Sequence, residues 1–372
     1  MPAVFALSHH AHYRCRHSGA CCTAGWTIPV EPERQTLLGA IELPQAAGGC
    51  QFFDHQSRLC AVHRDHGEPA MPTSCQHFPR RALVDDRGTF VTLSHFCPTA
   101  AAMLFEATEP MAVVTAPPAF PSGQPWDGLD ARGHWPPLLS PGVLFDLDAY
   151  SAFEQFIVDQ LAHETTVHAA LEIVAGAVER LREWNHRRGS FLAWATETFA
   201  ETAPMAVILP DGGEGSSRAP LLQIGGLTSA AHKGAHLHRA SWLLDVHARV
   251  RSSVPPHHEP APLHADTARA WGNGVAPGWN DYAAVTARYV AAKGFGSWTA
   301  YQGRGARTLV AEMAVSALVL EAEAASLCAK EGRALDQTMM LEAIRAADWL
   351  LIHLVDRSQF LDWLGVVEHQ AR

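Results

Sequence analysis

The stretch "YRCRHSGACCTAGW", residues 13–26, places three cysteines within eight positions, and two of them are adjacent. The chain has eight cysteines in 372 residues, and seven of them precede residue 98. An even distribution would put about two there, as expected of ordinary buried cysteines. We therefore predict a metal-binding module in this region, because thiolates from several turns must converge on one point to hold zinc or an iron–sulfur cluster. The predicted ligands are Cys15, Cys21, Cys22, Cys50, Cys60, Cys75 and Cys97.

Local features of the cysteine region favour a cluster or two metal ions over a single tetrahedral zinc ion. Gly19 permits a tight turn before the Cys21–Cys22 pair, whose adjacent side chains diverge and seldom bind one small ion together. Cys97 is followed by Pro98, as in the last cysteine of bacterial ferredoxin motifs. The cofactor stays open between a [4Fe–4S] cluster and zinc. Buried free cysteines and a secreted disulfide framework are the alternatives, and the second conflicts with the missing signal sequence.

The remaining sequence predicts a mainly α fold, in which a loop-rich cysteine module precedes an α-helical domain. We place the cysteine module at 1–109, a proline-rich linker or strap at 110–145, and the helical domain at 146–372. Apolar residues recur three or four positions apart from about residue 146 onwards. Asp146 and Ser190 are predicted as helix N-caps, and Gly294 as the residue that stops a later helix.

The longest apolar helix candidate is "TLVAEMAVSALVLEAEAA", residues 308–325. It is interrupted by Glu312, Glu321 and Glu323, so we expect a central bundle helix instead of a membrane span. The first residues lack the basic and apolar regions of a secretory signal. The expectation is a cytoplasmic protein with no membrane partner.

The net charge of −10 is unevenly distributed along the chain. Residues 1–97 contain eight arginines, no lysine and eight acidic residues, so the later part carries the whole acidic excess. Nucleic-acid binding is disfavoured, because it requires clustered basic residues. A basic protein segment suits this surface better.

The segments "YRCRHSGACCTAGWTI", "CQFFDHQSRLCAVH", "CQHFPR" and "SHFCP" resemble the cysteine-cluster family of zinc- or iron-chelating proteins, which includes flagellin lysine N-methylases. The methylase branch is similar in its Trp-Ile element (Trp26, Ile28), in Phe78-Pro79-Arg80 and in a long helical C-terminal part. The motifs cover about the first 100 residues. The resemblance implies methylation of a flagellin-like, lysine-bearing protein with S-adenosylmethionine as donor.

This sequence departs from the family pattern at three positions. Ser18 replaces a family cysteine, His63 replaces an aromatic residue, and His77 replaces an arginine. Either histidine is a possible substitute ligand, because neutral imidazole commonly binds metals. A surface position is the alternative for both.

Other candidate motifs are weaker. The glycine-rich "PDGGEGSS" (210–217) lacks the strand–turn–helix context of a nucleotide site, so a solvent loop is expected. His232 and His236 share one helix face, but Gly234 weakens that helix, and a solvated face is expected. "HHAH", residues 9–12, is expected to be an exposed loop.

Two functions follow from these observations. The first is a lysine N-methylase, for which the sequence identifies neither catalytic residues nor an S-adenosylmethionine site. The second is a non-enzymatic zinc or iron–sulfur protein for electron transfer or metal handling. Catalysis is supported by the family resemblance alone.

Overall fold

The computed structural model describes residues 3–43, 45, 46, 49–210, 232–256 and 260–370. Most of these residues are helical, which confirms the mainly α fold class. The helices are α1 (Pro32–Leu38), α2 (Ala61–His66), α3 (Thr73–His77), α4 (Pro98–Glu106), α5 (Leu147–His163), α6 (Val167–Arg182), α7 (Phe191–Ala200), α8 (His232–Arg251), α9 (Thr267–Ala270), α10 (Ala283–Gly294), α11 (Ala306–Glu331), α12 (Gln337–Asp348) and α13 (Arg357–Gly365).

Two predicted helix starts are confirmed and one predicted stop is wrong. The Asp146 carboxylate accepts a hydrogen bond from the Ala149 amide at 2.7 Å, and the Ser190 hydroxyl caps α7 in the same way. Gly294 does not stop α10, which includes it. Its lack of a side chain serves packing instead, because a Cβ there would lie 3.0 Å from both Ile157 and Met313.

Helix α11 is buried along most of its length, as the sequence predicts. Its acidic residues are paired inside the bundle. Glu321 accepts hydrogen bonds from Arg239 at 2.7 Å and from the indole of Trp271 at 3.2 Å, and it contacts His168 at 3.0 Å. Buried carboxylates are tolerated only with such partners, so each acid fixes the position of a neighbouring helix.

The cysteine region and the stretch after it also form a five-stranded mixed sheet, which the sequence analysis did not predict. Its strands are β1 (Val4–Leu7), β8 (Arg80–Asp85), β9 (Gly88–Leu93), β10 (Val113–Thr115) and β11 (Gly128–Asp130). Their spatial order is β10-β1-β9-β8-β11. Strand β1 is parallel to β9, and β8 and β9 form an antiparallel hairpin.

Short two-stranded hairpins complete the described strands. Three of them carry the cysteine loops, and the fourth precedes α5. They pair β2 (Ile28–Pro29) with β3 (Glu42–Leu43), β4 (Gln45–Ala46) with β5 (Gly49–Cys50), β6 (Phe53–Asp54) with β7 (Leu59–Cys60), and β12 (Leu138–Ser140) with β13 (Val143–Leu144).

The proline-rich stretch 110–145 runs along the body of the protein. Its strands β10 and β11 form the two edges of the sheet, and Phe120 and Phe145 are fully buried. The largest apolar core joins Leu7 and Phe90 of the sheet to residues of the bundle such as Ile157. Independent folding of 1–109 and 146–372 stays a prediction.

Two weaker candidates lie wholly or partly outside the described residues. The glycine-rich segment at 211–217 is one of them. His232 and His236 belong to α8, but their side chains are not described. Among the helices that the structure does describe, none has the length and apolar character required to cross a bilayer.

We predict that Glu321→Gln destabilises the fold at neutral pH by about 3 kcal/mol. Burial raises the pKa of Glu321, but Arg239 and His168 outweigh it and lower the pKa to about 2. Since this lies below the ordinary value of about 4.3, the ionised carboxylate stabilises the fold above that pH, and the stabilisation is lost as pH falls toward 2.

Urea unfolding of wild type and Glu321→Gln at pH 7 and pH 3 tests this expectation. The difference between the two proteins should shrink at pH 3. Asp130→Asn is the control, because Asp130 and its partner Arg132 are both more than half exposed, so that solvent screens their ion pair. A difference that stays constant with pH contradicts the role assigned to Glu321.

Candidate functional site

Two glycines bring the cysteine loops together. Gly19 has a φ of 72° and precedes the turn Ala20–Thr23, and a Cβ there would lie 2.6 Å from the Arg58 carbonyl oxygen. Gly49 has a φ of 108°, and a Cβ there would lie 2.5 Å from the Cys22 carbonyl oxygen. The turn that carries Cys21 and Cys22 therefore packs directly against the β6–β7 hairpin and strand β5.

Five of the seven predicted ligands share one small core, which we call the thiol cluster. It is surrounded by Ile28, Leu38 and Leu43 from the neighbouring loops. Cys22 and Cys50 are buried, and the other three are half-buried. The members of the thiol cluster are Cys21, Cys22, Cys50, Cys60 and Cys75.

The thiols of the cluster differ in acidity. A hydrogen bond with Cys22 lowers the pKa of Cys60 to about 6 against the effect of burial, and the backbone amides of His63 and Val62 add to it. The same kind of hydrogen bond lowers the pKa of Cys21. The pKa of Cys22 is raised by its hydrogen bonds to both neighbours. Cys60 is consequently more acidic than an ordinary cysteine, and Cys22 is the hydrogen-bond partner that favours its thiolate form.

The other two thiols of the cluster stay protonated. Burial raises the pKa of Cys75 to about 12, and it also raises the pKa of Cys50. No group of three or more His, Cys, Asp or Glu side chains in the described ranges is arranged to hold a metal ion. The thiol cluster thus brings together thiols that can act as metal donors in a hydrogen-bonded arrangement, and the metal ligands stay a prediction.

The remaining two predicted ligands form a separate pair beside Tyr13. The Tyr13 hydroxyl lies 3.8 Å from the Cys97 sulfur, and burial together with Cys97 and Cys15 raises its pKa above the usual range. Cys15 is exposed and accepts a hydrogen bond from the His17 amide at 3.3 Å. The sequence analysis expects all seven cysteines to converge on one point. In the structure, five of them lie in the thiol cluster and the other two lie beside Tyr13.

The positions that depart from the family pattern have distinct surroundings. The ring of His63 stacks on His17 at 5.2 Å, one helical turn from Cys60. The Nδ1 atom of His77 accepts a hydrogen bond from the Asp127 amide at 3.1 Å. The Ser18 hydroxyl accepts one from the Ala20 amide at 3.4 Å. His63 is therefore the histidine beside the thiol cluster, whereas His77 packs toward the 126–127 segment.

An aromatic layer connects the thiol cluster to the helical bundle. Trp26 packs on the core of the thiol cluster and stacks on His353 with ring centres 4.4 Å apart. The indole N–H of Trp349 donates to the Ala24 carbonyl oxygen at 2.8 Å. Both Trp349 and His353 lie in the π-helical turn Trp349–Leu354 that continues α12, a type of turn often found at functional sites. The layer consists of Trp26, Phe78, Phe96, Trp349 and His353.

A buried ionic network lies directly behind this layer. Asp348 pairs with Lys293 and accepts hydrogen bonds from the Ser94 hydroxyl at 3.0 Å and the His95 amide at 2.6 Å. Burial opposes ionisation of Asp348, but Lys293 and His95 hold its pKa well below the usual range. Burial lowers the pKa of His353 to about 3, so this ring is neutral at pH 7.

The structure corrects the expectation that residues 9–12 form an exposed loop. His9 and His10 are buried in the turn Ser8–His10, although His12 is exposed. The turn is held under residues 110–112, because the Ser8 hydroxyl donates to the Pro110 carbonyl oxygen at 2.9 Å. The Nε2 atoms of His10 and His95 are 3.1 Å apart. The segment 110–112 that covers this turn is about one hundred residues away in the chain, so the sequence of residues 9–12 does not indicate that His9 and His10 are buried.

Comparisons with known proteins give a partial match to a flagellar protein. No protein-family profile matches the chain, and no solved structure matches it. A segment of 75 residues is 32% identical to the flagellar biosynthetic protein FliU of Salmonella muenchen. This segment is 20% of the present chain and spans 44% of the length of that relative.

We predict that Gly19→Ala destabilises the thiol cluster by about 1–3 kcal/mol through overpacking. The new Cβ would meet the Arg58 carbonyl oxygen and the Phe53 ring, both at 2.6 Å. Gly39→Ala is a matched control, because Gly39 has a similar φ of 67° and no atom within 4 Å of the added Cβ.

Urea unfolding and the reaction of Cys22 with a thiol reagent, followed by mass spectrometry, measure the effect. Gly19→Ala should lower stability more than Gly39→Ala and expose Cys22. Equal effects of the two substitutions would show that the close packing of this turn is unimportant.

Proposed function

We propose that this protein is a cysteine-cluster enzyme that transfers a methyl group from S-adenosylmethionine to lysine side chains of a flagellin-like protein. The similarity of a 75-residue segment to a flagellar biosynthetic protein carries the link to flagella. The resemblance of the cysteine motifs to flagellin lysine N-methylases supplies the reaction. The acidic excess after residue 97 suits a lysine-bearing substrate.

The reaction balances without any further reactant. The neutral lysine nitrogen attacks the methyl carbon, the sulfur–methyl bond breaks, and S-adenosylhomocysteine and one proton are released. A lysine amine is mostly protonated at neutral pH, so the enzyme must bind it where the neutral form is accessible.

The donor chemistry of the thiol cluster supports a metal or iron–sulfur cofactor. Thiolates are the ligand form of cysteine, and the Cys60 thiol has a pKa of about 6. Cys21, Cys22, Cys50, Cys60 and Cys75 would hold the cofactor, whereas Cys15 and Cys97 lie apart as a pair. Binding would displace the protons of Cys22 and its neighbours, because metal ligands must be deprotonated. Zinc would supply Lewis acidity there, and an iron–sulfur cluster would supply electron transfer.

We predict that protein purified anaerobically contains stoichiometric zinc, or iron and sulfide with a brown colour. Cys22→Ser and Cys60→Ser should lose most of this metal, because each removes a thiol from the centre of the cluster. Cys328→Ala is the control, since Cys328 is buried on α11 beside Met339. Metal analysis and visible spectra measure the result. Metal content that is equally low in wild type and variants would remove the cofactor from the proposal.

Methyl transfer itself is tested with radiolabelled S-adenosylmethionine and purified flagellin. We expect labelled lysines in the flagellin by mass spectrometry, and at least a tenfold loss of label with Cys60→Ser but not with Cys328→Ala. Metal-loaded protein that transfers no methyl group to flagellin would contradict the enzymatic proposal. The non-enzymatic alternative, electron transfer or metal handling by the same thiols, would then be favoured if the bound metal changes its spectrum reversibly on reduction.

A further inference from the structure

An open pocket of about 430 Å³ lies between the turn Ser8–His10 and helix α4. Its volume is within the range of small-molecule sites, roughly 300–1,000 Å³. His12, Arg14 and Thr99 are among its lining residues. In the chain, Cys15 directly follows Arg14, and Cys97 lies two residues before Thr99.

His9 gives this pocket an unsatisfied hydrogen-bonding group. The side chain lines the pocket, is only 7% exposed, and neither of its ring nitrogens has a hydrogen-bond partner among the described residues. Buried polar groups nearly always have partners, and a missing partner costs about 1–3 kcal/mol. Both ring nitrogens are themselves buried, so a ligand in the pocket would recover this free energy by hydrogen-bonding to the imidazole only if the ring turned toward it.

The charged lining residues divide into a neutral pair and two single charges. Arg16 and Glu106 form a two-pronged ion pair with distances of 2.8 and 2.7 Å, so they neutralise each other. Arg14 and Glu109 are exposed, and neither side chain makes a hydrogen bond or ion pair with another described residue. The pocket consequently presents one unpaired cation and one unpaired anion.

This combination matches a ligand with both charges of an amino acid. The planar guanidinium of Arg14 suits a carboxylate, which it can bind through two parallel hydrogen bonds. Glu109 suits an α-ammonium group. Met103 and Ala107 add an apolar part of the wall for the rest of the molecule.

We propose that this pocket binds a zwitterionic amino-acid ligand, with Arg14 on its carboxylate, Glu109 on its ammonium group and His9 as a further hydrogen-bonding partner. The identification of that ligand as S-adenosylmethionine rests on the proposed methyl transfer. The site is distinct from the thiol cluster, because no cysteine of that cluster lines the pocket.

Isothermal titration calorimetry on the full chain tests the pocket, with S-adenosylhomocysteine and L-methionine as probes. Arg14→Gln and Glu109→Gln should each weaken binding of S-adenosylhomocysteine at least tenfold. Both positions are exposed, so both variants should fold. Arg187→Gln is the matched control. Arg187 lies outside this pocket, is also exposed, and its side chain has no partner among the described residues. It should leave the affinity unchanged.

A second probe assigns the carboxylate. Decarboxylated S-adenosylmethionine should bind wild type more weakly than S-adenosylmethionine does, and Arg14→Gln should not weaken it further, because the contact is already missing. Binding of S-adenosylhomocysteine that is unchanged in both pocket variants would overturn the pocket and leave methyl transfer standing. Arg14-dependent binding of methionine without any binding of S-adenosylhomocysteine would support the pocket and contradict the proposed methyl donor. Absence of binding by every probe would overturn the pocket.

Discussion

The buried carboxylate of Asp348 pairs with Lys293 inside the helical bundle and also binds the cysteine region. Asp348 is fully buried at the end of α12, and Lys293 lies one residue before the end of α10. The carboxylate also accepts hydrogen bonds from Ser94 and the His95 amide, which belong to the segment just before Cys97. A buried pair of this kind is costly to break, since either group alone would be an uncompensated charge. It therefore determines where the loop that carries Cys97 sits relative to the bundle.

The same pair positions the aromatic layer. His353 lies in the π-helical turn that follows Asp348. It contacts the Ser94 hydroxyl at 2.7 Å and stacks on Trp26. Trp26 in turn packs on the thiol cluster. A chain of direct contacts thus leads from the charge of Asp348, buried in the bundle, to the thiol cluster.

Helices were predictable from the sequence because their signals are local. The N-caps at Asp146 and Ser190 and the apolar pattern of α11 depend on residues within a few turns. The sheet depends on pairing over long distances, as in Val4 with Thr89, and the short strands carry little periodicity. One local signal was present: the two-residue turn Asp86–Arg87 is followed by Gly88 and then by a run rich in β-branched and aromatic residues, 89–92. The burial of His9 could not be read from its neighbours, because it depends on a strap one hundred residues away.

The cysteine spacing predicted part of the site. It correctly indicated that thiols from separate loops meet, but it could not show that five meet in one place and two in another, because this depends on how Gly19 and Gly49 allow the loops to pack. A finer signal was available at Cys60 and Cys97. Each directly precedes a helix, α2 and α4, and backbone amides at a helix start stabilise a thiolate. In Cys60 this adds to the hydrogen bond from Cys22 and lowers the pKa, whereas burial dominates at Cys97 and raises it. The two cysteines therefore share a local sequence signal but differ in acidity, because the extent of burial and the hydrogen-bond partner of each thiol are set by the tertiary structure.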